Sequence, residues 1–259
     1  MTATATAWPL QDGLYRSPAL SALGLVAGFT TRAEGSLAGS VFPQDMQDAA
    51  RERLARRLGF DEVVRVRQVH GNTVLRVPFV PPGPASPAEP HSKAPEADAM
   101  WTDRPGVLLG IAAADCVPVL LAAPGGPIGA AHAGWEGTTK RVVQALVREL
   151  VGAGADAGAI VAAIGPSIGP CCYTVDDARA TLIRERLGPD AADALRSGKD
   201  GLTFDLWGAN ATQLADAGVR TVELSGLCTR CGDADLWSYR SRGERGPQGT
   251  ALAVLGRPA

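Results

Sequence analysis

The sequence predicts an α+β fold in which mixed β-sheets are flanked by helices. Two observations favour this class over a doubly wound parallel fold. Short apolar or β-branched runs, typical of buried strands, outnumber the amphipathic helices between them and do not alternate strictly with them. In addition, no repeat of fixed period runs through the 259 residues. We therefore expect one domain over residues 1–259, built on a mixed sheet or two stacked sheets.

The first elements follow from the period of the apolar residues. Strands are predicted at 24–31 and 62–69, where β-branched residues cluster or apolar and polar residues alternate. A helix is predicted over 45–60 between them. Asp45 is its expected N-cap, and Gly59 is its expected end.

The remaining elements are predicted in the same way. Asp176 and Asp177 mark the start of one helix, because their carboxylates suit the positive end of a helix dipole. The other helices are expected at 138–150 and 206–217, and strands are expected at 106–113, 117–123, 128–133, 159–165, 219–224 and 250–255.

A proline-rich segment separates the two groups of strands. Residues 78–97 contain seven prolines in twenty residues, so this segment can neither continue a helix nor complete a strand ladder. We interpret it as a surface loop within the domain, and we expect no catalytic role for His91 there.

Composition excludes several classes of protein. The formal charge is -2, from 25 basic and 27 acidic residues, which does not favour nucleic acid or an anionic membrane as a partner. The most apolar stretch, 107–123, carries Asp115 and Pro118 and is better explained as two buried strands. Five cysteines, an odd number, and an N-terminus without a signal-peptide pattern suggest a cytoplasmic protein.

Three residues stand where apolar strands end. His70, Cys116 and His132 offer two imidazoles and a thiolate, a donor set that Zn²⁺ accepts while leaving one coordination position open. Copper accepts the same donors. Alternatively, Cys116 is a nucleophile with His132 as its base. The spacing matches no short zinc motif, so ordinary turn and core roles also stay open.

Two further sets of residues allow both a functional and a structural interpretation. Cys228 and Cys231 form a C-x-x-C pair whose only available second pair is Cys171 and Cys172; a structural zinc site is one alternative, and we expect packing roles instead. The loop that contains Ser167 and Tyr173 offers hydroxyls and glycines to an anion or a sugar, or simply connects a strand to a helix. It is not a nucleotide-binding P-loop.

Several motifs together resemble one family. From about Gly28 to Leu255, the sequence is similar to the YfiH family, also described as laccase-like multicopper polyphenol oxidoreductases and as purine nucleoside phosphorylases. The motifs, in chain order, are RQVHGNTV, ADAMWTDRPG, AADCVPVLL, AAHAGWEGT, AAIGPSIGPCCYTV, FDLWGANATQL and LWSYRSRGE. The resemblance implies a fold related to cysteine-hydrolase-like toxins.

The resemblance also implies a site and an activity. It implies a zinc centre at His70, Cys116 and His132, and phosphorolysis of adenosine, inosine, guanosine and methylthioadenosine with companion adenosine deamination. A nucleoside and phosphate would be the partners. By motif position, Arg32, Ser167, Tyr173 and Arg240 are expected to bind substrate or phosphate, and Asp98 and Asp115 to orient groups or transfer protons.

The sequence also departs from the family pattern. Glu136 and Thr250 stand where arginine is common, and an anion at Glu136 is expected to repel phosphate. Two other functions therefore stay open. One is a Cys/His hydrolase acting on an amide or a peptidoglycan precursor. The other is a copper-dependent phenol oxidase, although three histidines are too few for a multicopper cluster.

Overall fold

The computed structural model describes residues 4–77, 94–232 and 235–259. In chain order, the strands are β1 (Thr4–Ala5), β2 (Leu10–Gln11), β3 (Leu14–Arg16), β4 (Val26–Thr30), β5 (Val63–Val64), β6 (Val74–Arg76), β7 (Ala99–Thr102), β8 (Leu108–Ala113), β9 (Val117–Ala122), β10 (Ile128–Ala133), β11 (Val161–Ile164), β12 (Leu195–Gly198), β13 (Gly201–Phe204), β14 (Thr221–Leu224) and β15 (Ala251–Gly256). The α-helices are α1 (Pro18–Ser21), α2 (Gln44–Leu58), α3 (Trp135–Thr139), α4 (Val142–Gly152), α5 (Asp177–Leu187), α6 (Ala191–Ala194) and α7 (Leu206–Asp216).

The strands form two mixed sheets and a hairpin. The larger sheet has the order β1-β14-β11-β9-β10-β7-β6, and the smaller has the order β2-β3-β4-β15-β8-β5. Each contains both parallel and antiparallel pairs; for example, β11 is parallel to β14 and antiparallel to β9. β12 and β13 form a two-stranded sheet, and Thr203 of β13 makes a further antiparallel bridge with Thr174. The predicted α+β class with mixed sheets is confirmed.

The two sheets stack face to face, and helices cover their outer faces. Met100 and Leu120 from the larger sheet meet Phe29 and Ile111 from the smaller one in a shared apolar core. Helices α4, α5 and α7 join the core on the outer face of the larger sheet, and α2 packs Leu54 against the smaller one. Strands covered on both sides must be apolar throughout, and β9 and β10 are buried at every position.

Most predicted elements are confirmed near their predicted ends. These include the strands at 24–31, 106–113, 117–123, 128–133, 159–165, 219–224 and 250–255, and the helices that start at Asp177 and Leu206. Asp176 caps its helix by accepting the N–H of Arg179 at 2.7 Å. Gly59 ends α2 in the left-handed conformation, with φ 84°.

The strand predicted at 62–69 is confirmed only at Val63 and Val64, and the rest of the prediction is wrong. Only Val63–Val64 pair with β8. Farther along, the side-chain amide of Gln68 accepts the backbone N–H of Ala112 and donates to its carbonyl, both at 2.8 Å. A side chain therefore occupies the backbone partners that a longer strand would need.

Two predictions about helices also need correction. The helix predicted at 138–150 is two helices, because Arg141 adopts φ 60° between α3 and α4. The break lets Thr138 bond to Asn210 and Gln213 of α7, at 3.0 and 2.8 Å, while α4 lies along the sheet. In α2, Pro43 occupies the N-cap position, and Asp45 lies in the first turn.

The proline-rich loop predicted at 78–97 falls mostly outside the described residues, as does His91. The description resumes at Ala94. Within the described ranges, no helix is long and apolar enough to cross a membrane.

Candidate metal centre

Three side chains converge where the chain passes between the two sheets. His70 lies in the connection from β5 to β6, Cys116 lies in the turn from β8 to β9, and His132 lies near the end of β10. One ligand atom from each lies within 4.8 Å of the others. The two imidazole rings meet edge to face, with centroids 4.8 Å apart. The three residues that the sequence singled out are therefore brought together.

The backbone is unusual at two positions in this centre. His70 has φ 58° and Asp115, next to Cys116, has φ 89°, a region that residues other than glycine seldom adopt. Such conformations persist only where the surrounding structure enforces them, and they cluster at functional sites. Here they turn the chain at the two loops that carry His70 and Cys116.

Asp98 organises both histidines. Its carboxylate is fully buried and accepts the backbone N–H of His70 and the Nδ1–H of His132, both at 2.9 Å. It also accepts the N–H groups of Gly71 at 2.6 Å and Val69 at 3.2 Å. Burial raises the pKa of this carboxyl, but these donors outweigh burial and hold the pKa below its ordinary value.

This bonding pattern fixes how His132 can act. A carboxylate is an acceptor only, so Nδ1 of His132 carries the hydrogen and Nε2 stays available as a ligand. Histidine ligands of metal ions commonly show the same carboxylate partner. Asp98, expected to orient or transfer protons, therefore has the contacts of an orienting residue.

The thiol of Cys116 is activated by the two histidines. Burial opposes its ionisation, yet the charge and hydrogen bond of His132, with a further contribution from His70, lower the pKa of Cys116 to about 6. Burial likewise opposes the imidazolium, but Cys116 and Asp98 raise the pKa of His132 to about 9. Without a metal, the pair is therefore a thiolate and an imidazolium at neutral pH.

Space at the centre depends on Gly134. A Cβ atom at this position would lie 2.8 Å from Cys116 Sγ and 3.3 Å from His70 Cδ2, closer than ordinary contact. The missing side chain lets β10 turn into α3 directly beside the ligands. Two nitrogens and one sulfur in this arrangement are compatible with a bound metal ion.

Asp115 supports the loops around the centre. Its carboxylate accepts the hydroxyl of Thr229 at 2.6 Å and the N–H of Arg240 at 2.7 Å. Its carbonyl accepts the N–H of Ile168 at 2.9 Å. Both carboxylate oxygens are engaged in these bonds, so the contacts of Asp115 hold the neighbouring loops in place.

Tyr173 and Arg240 lie together on one side of the centre. The guanidinium of Arg240 stacks 4.8 Å from the centroid of the Tyr173 ring and donates to the carbonyl of Thr174 at 3.1 Å. Burial, followed by the negative charge of Cys116, raises the pKa of Tyr173 to about 12. This phenol is therefore a neutral donor at physiological pH.

Ser167 and Arg32 are held by other neighbours. The buried hydroxyl of Ser167 donates to Gly165 O at 3.1 Å and accepts the indole N–H of Trp207 at 2.6 Å. Arg32 stacks 4.2 Å from the Trp237 ring and donates to Arg245 O at 2.9 Å. The contacts of both residues thus support loops.

Sequence reasoning missed several cationic residues near the centre. Lys140 pairs with Glu136 at 3.0 Å and donates to His70 O at 2.8 Å, so the expected repulsion by Glu136 is balanced locally. The guanidiniums of Arg179 and Arg186 lie 5.3 and 5.4 Å from the ring of Trp135. Both arginines come from α5, and only the tertiary fold brings them to α3.

The chain is similar to several known proteins over most of its length. A family described as multi-copper polyphenol oxidoreductase laccase matches residues 27–257. A Deinococcus radiodurans protein named purine nucleoside phosphorylase is 40% identical in an alignment of length 261, which covers 95% of this chain and 93% of that protein. Purine nucleoside phosphorylase YlmD of Geobacillus stearothermophilus is 38% identical, over 95% of this chain and 94% of that protein.

Solved structures show the same fold. The hypothetical protein YfiH of Bacillus licheniformis superposes with a TM-score of 0.81 at 30% identity, covering 95% of this chain and 97% of that one. YlmD from Geobacillus stearothermophilus gives a TM-score of 0.80 at 34% identity, covering 97% and 99%.

Proposed function

The chain belongs to the YfiH family, and on that premise we propose that it is a zinc-dependent purine nucleoside phosphorylase. The observation that carries the proposal is the convergence of His70, Cys116 and His132 around the buried carboxylate of Asp98. The names of the relatives support the reaction class. The proposed substrates are adenosine, inosine, guanosine and methylthioadenosine together with inorganic phosphate, and adenosine deamination is the proposed companion reaction.

The donor set fits zinc. Two imidazoles and one thiolate leave a fourth tetrahedral position, which is typical of catalytic rather than structural sites. Copper accepts the same donors, so the metal must be identified by measurement. When bound, zinc supplies Lewis-acid polarisation to the group that it contacts. We place the protein in the cytoplasm, since a reducing compartment keeps Cys116 available as a ligand.

The surrounding residues suit a nucleoside and an anion. Arg240 and Arg179 are the proposed phosphate ligands, because guanidinium groups bind phosphate through paired donors. Trp135 and the neutral phenol of Tyr173 offer an aromatic surface and a hydrogen bond to the purine or ribose. In the reaction, a phosphate oxygen bonds to C1′ of the ribose, the bond from C1′ to the purine breaks, and the purine nitrogen takes up a proton.

The test is product analysis with and without phosphate. Protein of known metal content is incubated with adenosine, and the products are separated by chromatography. Adenine and ribose 1-phosphate formed only with phosphate would support phosphorolysis. Inosine formed without phosphate would mean a deaminase alone, and no product in either arm would overturn the assignment to nucleosides.

Variants connect the activity to the site. His132→Ala is expected to abolish both turnover and one metal-binding step, because it removes a ligand. His91→Ala alters the third histidine of the sequence and serves as the matched control. Equal turnover and metal content in His132→Ala and in the wild type would refute the assigned centre.

One observation favours a second function. The thiolate of Cys116, the imidazolium of His132 and the carboxylate of Asp98 together form the arrangement of a cysteine hydrolase. Such an enzyme would act on an amide or a peptidoglycan precursor. Metal-free protein that hydrolyses an amide and is inactivated by alkylation of Cys116 would support it, whereas activity that requires the metal would exclude it.

A further inference from the structure

Four cysteines outside the centre lie close together. Cys171 and Cys172 belong to the loop after β11, and Cys228 and Cys231 belong to the turn after β14. Their sulfur atoms all lie within 4.8 Å of one another, and those of Cys171 and Cys231 are 3.4 Å apart. They are four of the five cysteines of the sequence, and all five are free thiols.

Backbone pairing holds the two cysteine pairs together independently of the sulfurs. Strands β11 and β14 are parallel neighbours, so the loops that follow them leave the sheet side by side. The N–H of Ser167 donates to Leu227 O at 3.1 Å, and the N–H of Thr229 donates to Ser167 O at 3.0 Å. The cluster is therefore built into the sheet and does not depend on chance contact between exposed side chains.

The C-x-x-C turn has the geometry of a metal-binding turn. The sulfur of the buried Cys228 accepts the N–H of Gly169 at 3.3 Å and also accepts backbone N–H groups of Arg230 and Cys231. Donors of this kind stabilise a thiolate without neutralising it as a ligand. The turn closes through the N–H of Gly232, which donates to Cys228 O at 2.8 Å.

Charge around the turn also suits a thiolate cluster. The guanidinium of Arg245 donates to the carbonyls of Arg230 at 2.6 Å and Thr229 at 3.4 Å, which places a cation beside the turn. Four thiolates on a divalent ion leave a net charge of -2, and a neighbouring cation offsets part of it.

We propose that Cys171, Cys172, Cys228 and Cys231 bind a second zinc ion, separate from the centre at His70, Cys116 and His132. Tetrahedral zinc with bonds of about 2.3 Å sets its sulfurs about 3.8 Å apart, so the cluster needs only small adjustments. Binding forms four Zn–S bonds and releases the thiol protons to solvent. With four protein ligands the site is closed, so its role is structural.

The proposed ion would also affect the support of the centre at His70, Cys116 and His132. Ile168, in the first loop, donates to Asp115 O at 2.9 Å, and Thr229, in the second, donates to its carboxylate at 2.6 Å. The ion would therefore link two loops that both donate hydrogen bonds to Asp115, the residue before Cys116. Its loss is expected to lower thermal stability and to loosen this support while leaving the His70, Cys116 and His132 donors present.

The test counts metal ions and thiols in the purified full-length protein. We expect two zinc ions per chain in the wild type, one in Cys231→Ser and one in Cys116→Ser, which is the matched cysteine control in the other site. With cobalt in place of zinc, the intense sulfur-to-metal absorption of a four-thiolate site should persist in Cys116→Ser and weaken in Cys231→Ser.

Several outcomes would overturn the proposal. One is a single zinc in the wild type that disappears in Cys116→Ser. Another is fewer than five free thiols in freshly denatured, unreduced protein, which would mean that a disulfide forms in place of a metal site, as between Cys171 and Cys231, whose sulfurs lie 3.4 Å apart. If Cys231→Ser does not fold, a mercurial thiol reagent is titrated into His132→Ala, which should release one zinc as the four thiols of the cluster react, whereas Cys116 adds a fifth reactive thiol and no zinc. No release would refute the site. None of these readouts uses nucleoside turnover, so this proposal stands or fails separately from the proposed function.

Discussion

Replacing Gly134 with alanine should weaken metal binding at the His70, Cys116 and His132 centre while leaving the fold intact. Gly134 has φ −66° and ψ −179°, a backbone conformation that alanine adopts without strain. The effect is therefore steric. The new Cβ would lie 2.8 Å from Cys116 Sγ, where ordinary contact needs about 3.5 Å or more.

The displacement can be compared with the tolerance of a metal site. Relief of the contact requires a movement of about 0.7 Å, whereas ligand distances at a metal tolerate about 0.2 Å. We expect zinc affinity to fall about 10- to 100-fold, or about 1.4 to 2.7 kcal/mol. Loss of glycine at the N-cap position of α3 should cost at most about 1 kcal/mol of unfolding free energy.

The assay is competition for zinc with a chromogenic chelator. The zinc-binding step that is lost in His132→Ala is taken as the step that belongs to this centre, and its affinity is compared between Gly134→Ala and the wild type. Gly152→Ala is the control, because a Cβ there meets nothing within 4 Å. Denaturant unfolding of the metal-free proteins checks that both variants fold. Gly134→Ala with the same zinc affinity as wild type would show that the ligands do not occupy the positions described.

Three other substitutions test the surrounding structure. Asp98→Asn should lower the unfolding free energy by about 2 to 3 kcal/mol and weaken metal binding, since an amide cannot accept all four N–H groups. Denaturant unfolding measures the first effect, and chelator competition measures the second. The control is the exposed Glu149→Gln, which should change neither quantity. Burial raises the pKa of Glu223, so its charge destabilises the fold increasingly as pH rises above the ordinary carboxyl pKa of about 4.3. The unfolding free energy of Glu223→Gln minus that of the wild type should therefore be larger at pH 7 than at pH 4. A difference that does not change with pH would contradict this. Gly249→Ala places a Cβ 2.4 Å from the buried Trp237 ring and should cost about 1 to 3 kcal/mol in denaturant unfolding, whereas no loss would mean that the indole moves freely.

The central strands could be predicted because both of their faces are buried. Strands β9 and β10 lie between helices and the second sheet, which requires unbroken apolar runs that composition alone identifies. The polar residues at the ends of these strands then stand out: Cys116 comes directly before β9, and His132 lies near the end of β10. Their convergence with His70 depends on how two sheets dock, and spacings of 46 and 16 residues carry no such information.

The parts that sequence could not predict depend on long-range pairing. Hydrogen bonds from the side chain of Gln68 replace part of the predicted strand ladder, and the alternation of apolar and polar residues does not indicate this replacement. The cysteine pairs at 171–172 and 228–231 meet only because β11 and β14 are parallel neighbours. Likewise, the cationic Arg179 reaches Trp135 through the packing of α5 against α3.

The position of the three ligands has a consequence for folding kinetics. The loop that carries His70 joins β5 of the smaller sheet to β6 of the larger one, Cys116 stands at the crossing from β8 to β9, and His132 belongs to the larger sheet. A chain in which only one sheet has formed cannot present all three donors. The binding energy of the proposed metal ion would therefore be available only after the sheets have docked, and it should appear as a lower unfolding rate with the refolding rate nearly unchanged.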